Sequence, residues 1–135
     1  MEIIYGPKGT GKTKQIIERA NAVLEEAKGH ALFITDTKRY THDLRYQIRF
    51  HDVTDYGINT EEEFRGFLKG IVTASGDNEY VFLDGVARIC NKPLAELASI
   101  FEAIEQLESG YDLKFVITCS AAKEDLPEFV VKHLN

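Results

Sequence analysis

Residues 6–13 read GPKGTGKT and carry the strongest chemical signal in the chain. They match the pattern G-x-x-x-x-G-K-[ST] at Gly6, Gly11, Lys12 and Thr13. Glycines let such a loop curl until its backbone N–H groups point inward, and a helix starting near Lys12 would direct its positive end to the same place. Lys12 could then reach the β- and γ-phosphates of a nucleoside triphosphate, and the Thr13 hydroxyl could ligate Mg²⁺. We therefore assign the whole loop to phosphate binding: Gly6, Pro7, Lys8, Gly9, Thr10, Gly11, Lys12 and Thr13.

A second signal is an acid that ends a buried apolar run. Asp84 follows residues 81–83 directly and is itself followed by Gly85. A carboxylate at the end of a strand near the phosphate loop can complete a Mg²⁺ site with Thr13. Because Asp-Gly is also a common turn pair, a simple strand-terminal turn is the alternative interpretation.

Short apolar runs alternate with helical spacing along the chain, and this alternation predicts the elements that must position these residues. Strands are predicted at 2–5, 31–36, about 50–53, 80–84 and 113–118. Helical spacing covers 16–27, 64–72 and 94–107, and a last helix is predicted to open at residues 125–128 and to run to 134, with one or two further helical turns between 38 and 50. Thr60 and Glu63 form a capping box before the second helix. Pro93 and Gly110 bracket the third helix.

This alternation predicts an α/β fold, a three-layer sandwich with a mainly parallel sheet covered by helices on both faces. The length of 135 residues predicts a single domain, residues 1–135. Ligands of such sheets gather at the carboxyl ends of the strands. The residues that follow each strand are therefore the candidates for a site.

Composition narrows the class of protein. Hydrophobic residues make up 44% and charged residues 28%, and no apolar run approaches the roughly 18 residues of a membrane span. With no secretory signal pattern, we expect a cytoplasmic protein without membrane insertion. Cys90 and Cys119 have no metal-ligand spacing and are expected to be reduced thiols. The net charge of −6 argues against bulk attraction to nucleic acid.

The glycine-rich loop, its flanking elements and Asp84 together resemble the P-loop NTPase superfamily, and more narrowly its RecA-like branch. In that branch a later strand separates the metal-site acid's strand from the phosphate-loop strand. Here the separating strand would be residues 113–118. The resemblance spans nearly the whole chain. The sequence departs from the family in lacking the further strands that normally follow. Where many P-loop ATPases have a glutamate after the metal-site aspartate, this chain has Gly85.

The resemblance also implies roles for residues after two other strands. Thr118 and Ser120 would lie at the polar position that senses the γ-phosphate, and Asp36 would orient the attacking water, with a cap or turn acid as its alternative. Arg88, four residues after Asp84, could reach the γ-phosphate side of the site or be an ordinary surface arginine.

The implied function is ATP binding with modest Mg²⁺-dependent ATPase activity, coupled to a protein partner or a homo-oligomer. A nucleotide-dependent binding module with little hydrolysis is the first alternative. A small nucleoside or nucleotide kinase is the second, with residues 38–49 as its lid. ATP is taken as the default nucleotide because the GTPase motif N-K-x-D is missing; residues 91–94 read NKPL.

One basic and aromatic segment stands apart from these signals. Its cations are Lys38, Arg39, Arg45 and Arg49, interleaved with Tyr40, Tyr46 and Phe50. They could contact a base, phosphates, nucleic acid or a neighbouring subunit. The alternative is a solvated surface whose aromatic residues anchor the core.

Overall fold

A computed structural model describes residues 1–134 as an α/β arrangement around one sheet. The strands are β1 (Glu2–Gly6), β2 (His30–Thr35), β3 (Arg49–Asp52), β4 (Asn78–Leu83) and β5 (Lys114–Ser120). The helices are α1 (Lys12–Val23), α2 (Glu61–Thr73), α3 (Val86–Cys90), α4 (Ala98–Tyr111) and α5 (Glu128–Val131). Short 3₁₀ turns lie at Thr41–Asp43, Val53–Tyr56, Leu94–Glu96 and Lys123–Asp125.

All neighbouring strands in this sheet are parallel, in the order β1-β5-β4-β2-β3. The prediction that the strand near residues 113–118 separates the first strand from the Asp84 strand is therefore confirmed. This order brings the carboxyl ends of β1, β5, β4 and β2 side by side. The residues that follow these four strands consequently meet at one edge of the sheet.

Helices cover both faces of the sheet, as predicted. On one face α1 packs its apolar stripe, including Ile16 and Ala20, against Phe33, Phe82 and Val116. On the other face α2, α3, α4 and α5 share a larger core with the alternate strand residues, such as Leu83 and Ile117. Successive side chains of a strand point to opposite faces of the sheet. Because helices bury both faces here, nearly every residue of these strands is apolar. Within residues 1–134, no helix has the length and apolar character needed to cross a membrane.

The first helix is shorter than its apolar spacing predicted. It ends at Val23, although helical spacing continues to residue 27. The carboxylate of Glu79 on β4 accepts hydrogen bonds from the backbone N–H groups of Lys28 and Gly29, at 2.7 and 2.8 Å. These contacts draw the chain out of the helix and onto the sheet, where β2 begins. Because Glu79 is some 50 residues away in sequence, local spacing could not show this end.

Two further helices differ from the prediction. Residues 86–90 form α3, which the sequence pattern did not indicate, and the third predicted helix starts at Ala98 after a 3₁₀ turn. The last helix extends only over Glu128–Val131. By contrast, the capping box is confirmed, since the Thr60 side chain accepts from the Glu63 backbone N–H at the start of α2.

Candidate functional site

A cleft of about 1030 Å³ lies at the carboxyl edge of the sheet, between the glycine-rich loop, α1 and the segment after β2. It brings together most of the predicted site residues: Lys8, Gly9, Gly11, Lys12, Thr13, Asp36, Asp84 and Ser120. The other predicted site residues, Gly6, Pro7, Thr10 and Thr118, are not part of its lining. Residues from the ends of four strands, β1, β2, β4 and β5, therefore converge on one concave surface.

The glycine-rich loop turns sharply into α1. Gly11 precedes the first helical residue and has a φ of 85°, a left-handed conformation that glycine adopts without strain. Inside the loop, the carbonyl of Pro7 accepts hydrogen bonds from Lys12 Nζ at 3.0 Å and from Thr10 Oγ1 at 2.7 Å. The ammonium of Lys12 thus lies across the loop, and it would exchange this carbonyl for a phosphate oxygen when an anion binds there.

Asp84 is the centre of a buried hydrogen-bond network. Asp84 is only 4% exposed. Thr118 Oγ1 donates to Asp84 Oδ1 at 2.6 Å, and Thr13 Oγ1 donates to Asp84 Oδ2 at 3.1 Å. The backbone N–H of Gly85 in turn donates to Thr118 Oγ1 at 3.3 Å. The network joins the ends of β4 and β5 to the start of α1.

Thr13 and Asp84, the two residues predicted to hold Mg²⁺, are thus in direct contact. Because the Thr13 hydroxyl donates its proton to Asp84, its oxygen keeps lone pairs that a cation can use. Mg²⁺ in nucleotide sites is usually held by one or two protein oxygens together with substrate phosphates. In the part of the chain that the structure describes, no group of three or more His, Cys, Asp or Glu side chains could form a metal site alone. The donor set therefore fits a cation that arrives with phosphates.

Asp36 and Arg88 form an ion pair beside this network. Arg88 Nε donates to Asp36 Oδ2 at 3.1 Å, and Arg88 Nη2 donates to Asp36 Oδ1 at 3.0 Å. The two side chains are 22% and 54% exposed, respectively. These hydrogen bonds raise the pKa of Arg88 above its ordinary value, with a smaller contribution from the Asp84 charge. Both residues are candidates from their positions after strands, but their contact does not follow from the sequence, since 52 positions separate them.

Gly85 lies against the Arg88 guanidinium. Its φ of 92° is again left-handed, and a Cβ built on it would collide with Arg88 Nη2 and Cζ. Any residue with a side chain at position 85 would therefore displace Arg88 from Asp36. The ion pair occupies the space that a glutamate at this position would need.

The basic segment is largely committed to local contacts. Lys38 pairs with Asp52 at 2.9 Å and with Asp55 at 2.5 Å, and Arg49 lies 3.8 Å from Asp77. Two of the four predicted cations therefore have acidic partners. Its aromatic residues divide: Tyr40 and Phe50 pack against the core on the α1 face, whereas Tyr46 is 92% exposed. Tyr40 and Phe50 match the alternative of aromatic residues that anchor the core, whereas Arg39 and Tyr40 also line the cleft.

The cleft has a different charge balance from the chain as a whole. Five cationic side chains and four carboxylates line it among the described residues, giving a net charge of +1, whereas the whole chain carries −6. The cations are Lys8, Lys12, Lys14, Arg39 and Arg88, and the acids are Glu18, Asp36, Asp43 and Asp84. A local excess of positive charge in a concave site favours an anionic ligand.

The two cysteines do not contribute chemistry to this site. Both Cys90 and Cys119 are free thiols and buried. Burial raises the pKa of each thiol to about 12, so that almost none is thiolate near neutral pH. They behave as small core residues, as the sequence predicted.

Comparison of the sequence with models of protein families and with curated proteins found no match. The interpretation of the cleft therefore depends on its residues and their geometry.

Proposed function

We propose that the protein binds ATP with Mg²⁺ in this cleft as a P-loop NTPase of the RecA-like type and hydrolyses it slowly. The observation that carries the proposal is the 3.1 Å contact between Thr13 Oγ1 and Asp84 Oδ2. One residue ends the G-x-x-x-x-G-K-[ST] loop, the other ends a strand two positions away in the sheet, and the motif requires them to meet at a shared cation. The strand order β1-β5-β4 supports the same assignment.

Each residue has a role in this proposal. The loop amides and Lys12 hold the phosphates, while Thr13 and Asp84 hold the metal. When bound, Mg²⁺ supplies charge neutralisation to the β- and γ-phosphate oxygens. Ser120, at the exposed end of β5, faces the γ-phosphate. Thr118 does not line the cleft, and its hydrogen bond to Asp84 positions that carboxylate.

Asp36 is the residue that orients water in the proposed hydrolysis. Both of its oxygens already accept hydrogen bonds from Arg88, so a water must share lone pairs with the guanidinium. This sharing supports slow turnover. It equally favours the second candidate function, a binding module that responds to ATP with little hydrolysis and acts on a protein partner or a second copy of the chain.

The kinase alternative has less support. A phosphate-covering lid needs unpaired arginine or lysine side chains, and Lys38 and Arg49 are paired with acids. Of the four cations in this segment, only Arg39 lines the cleft. Nucleic-acid binding by the same segment is weakened for the same reason.

Calorimetric titration with ATP, ADP and GTP, in the presence and absence of Mg²⁺, tests the proposal. We expect Mg²⁺-dependent ATP binding that Lys12→Ala weakens about 10- to 100-fold, since a hydrogen bond to a charged group contributes about 1.5–3 kcal/mol. Lys69→Ala is the matched control, because Lys69 is exposed on α2 and outside the cleft. Turnover and sizing with and without nucleotide then separate the ATPase from the binding module.

Two results would contradict the proposal. One is the absence of Mg²⁺-dependent affinity for any nucleoside triphosphate at roughly millimolar concentration, a weak-binding limit of about −4 kcal/mol. The other is equal affinity of the wild type and Lys12→Ala.

A further inference from the structure

The guanidinium of Arg88 has unused hydrogen-bonding capacity at the cleft. An arginine side chain carries five N–H donors in a planar fork. Asp36 takes one from Nε and one from Nη2. Three donors remain, two on Nη1 and one on Nη2, and Arg88 lines the cleft together with Lys12, Thr13 and Asp84. The pair with Asp36 therefore fixes the guanidinium without exhausting it.

The position of Arg88 in the fold sets which part of a nucleotide it could meet. Asp84 and Asp36 end β4 and β2, which are neighbouring strands with Ile34 opposite Leu83. Arg88 lies beyond Asp84 as seen from the glycine-rich loop, because its partner Asp36 belongs to the next strand. In the proposed function Thr13 and Asp84 mark the cation that bridges the last two phosphates. Arg88 is thus on the side of the terminal phosphate rather than within the loop.

Charge balance gives the same assignment. Asp36 and Asp84 place two carboxylates in the cleft. In the proposed function Mg²⁺ offsets the charge of Asp84, and Lys12 is engaged with the phosphates, so the charge of Asp36 needs another partner. An uncompensated carboxylate next to a phosphate would repel it, whereas Arg88 cancels the second negative charge and still offers three donors. Gly85 maintains this arrangement, since a side chain there would displace the guanidinium.

We propose that Arg88, held by Asp36 above Gly85, binds the terminal phosphate and makes the protein distinguish a nucleoside triphosphate from the diphosphate. This inference rests on the proposed function, and it adds the residue that makes the site specific for the length of the phosphate chain. Asp36 is then also a positioning residue, because it fixes the plane of the guanidinium. A diphosphate would occupy the glycine-rich loop and leave Arg88 with Asp36 only.

The test compares Mg²⁺-ATP and Mg²⁺-ADP affinities in the wild type and in Arg88→Ala. We expect the ATP affinity to fall about tenfold or more, as for loss of a charge-assisted hydrogen bond, and the ADP affinity to stay within about twofold. Arg49→Ala is the matched control, since Arg49 is exposed, has an acidic neighbour and lies outside the cleft. An ATP-to-ADP ratio that Arg88→Ala leaves unchanged would overturn the inference.

A double variant separates direct binding from simple shielding of Asp36. Arg88→Ala leaves the Asp36 carboxylate without its partner, and that charge alone could repel a phosphate. In Arg88→Ala/Asp36→Asn no such charge remains, and we expect the loss of ATP affinity relative to ADP to persist. Recovery of the wild-type ratio in the double variant would show that Arg88 only shields Asp36, and the inference would be wrong.

Folding of the variants is checked by thermal unfolding. If Arg88→Ala does not fold, Arg88→Gln takes its place, because glutamine keeps amide N–H donors and part of the side-chain length but has no charge. The same loss of ATP relative to ADP is expected, and an unchanged ratio counts against the inference. A wild type that binds neither nucleotide would instead contradict the proposed function itself. The two failures are therefore distinguishable.

Discussion

The two acids of the cleft are held in opposite ways. Asp84 is 4% exposed and accepts hydrogen bonds from the hydroxyls of Thr13 and Thr118, which belong to two other elements of the core. Asp36 is 22% exposed and is held mainly by Arg88 from the five-residue helix α3, with a longer hydrogen bond of 3.4 Å from the neighbouring Thr35 hydroxyl. The first arrangement is set by the order of the strands, whereas the second is set by a single side chain.

This difference separates a rigid part of the site from an adjustable one. A buried carboxylate that accepts from the buried Thr118 hydroxyl and the half-buried Thr13 hydroxyl cannot move without leaving polar groups unpaired. A half-exposed ion pair contributes only about 0–1 kcal/mol and can be exchanged for another anion at little loss. We infer that the Asp84 network keeps one geometry with and without ligand, while the Asp36–Arg88 pair is the element that responds to it.

The largest effect is expected from Asp84→Ala. The substitution removes the acceptor of the buried Thr118 hydroxyl, and leaving one buried polar group unpaired costs about 1–3 kcal/mol of folding free energy. Denaturant unfolding measures this loss. The Mg²⁺-dependent part of nucleotide affinity should disappear in the same variant.

Asp84→Asn is the matched control for that experiment. Its side-chain oxygen can still accept from Thr118 and its amide can donate to Thr13, so the unfolding free energy should stay near the wild-type value. The negative charge is gone, so the Mg²⁺ dependence should still be lost. Equal stability of all three proteins would show that the Asp84 network is not the rigid part of the site.

A smaller effect is expected from Gly85→Ala, at the boundary between the two parts. Alanine in a left-handed conformation costs roughly 1–2 kcal/mol, and its Cβ would also push the Arg88 guanidinium off Asp36. Denaturant unfolding should therefore show a loss of about that size.

Gly66→Ala gives the opposite sign and serves as the control. Gly66 lies in the interior of α2, and nothing lies within 4 Å of a Cβ placed there. Alanine should stabilise this helix by up to about 1 kcal/mol. Destabilisation by both variants to the same degree would contradict a special role for position 85.

Local patterns were sufficient for most of the elements and for the loop. The apolar runs located all five strands, and the glycine spacing with Asp84 placed Thr13 and Asp84 together before any coordinates. The strand order followed from the resemblance and not from periodicity, since nothing local in β5 shows that it lies between β1 and β4. The end of α1 could not be predicted, because Glu79 captures the amides of residues 28 and 29 from a distant strand.

The contacts of the site show the same limit. The positions of Asp36 and Arg88 after strands indicate a place near the site for each, but their pairing joins residues 52 positions apart and has no local signal. Thr118 was predicted to face the phosphate, and the structure shows it donating to Asp84 instead of lining the cleft. Helix α3 was missed because five residues are too few for a helical period to be recognised.

The smallest effect on stability is expected from Asp36→Asn. Asparagine keeps one acceptor for Arg88 and loses the charge, so the unfolding free energy should fall by no more than about 1 kcal/mol. The difference should shrink further in about 1 M salt, where the Debye length is roughly 3 Å. A loss of about 2 kcal/mol or more, or one that salt leaves unchanged, would place Asp36 with Asp84 in the rigid part. Because the fold is retained, loss of Mg²⁺-dependent turnover in the same variant reports on the Asp36–Arg88 pair and not on a general loss of structure.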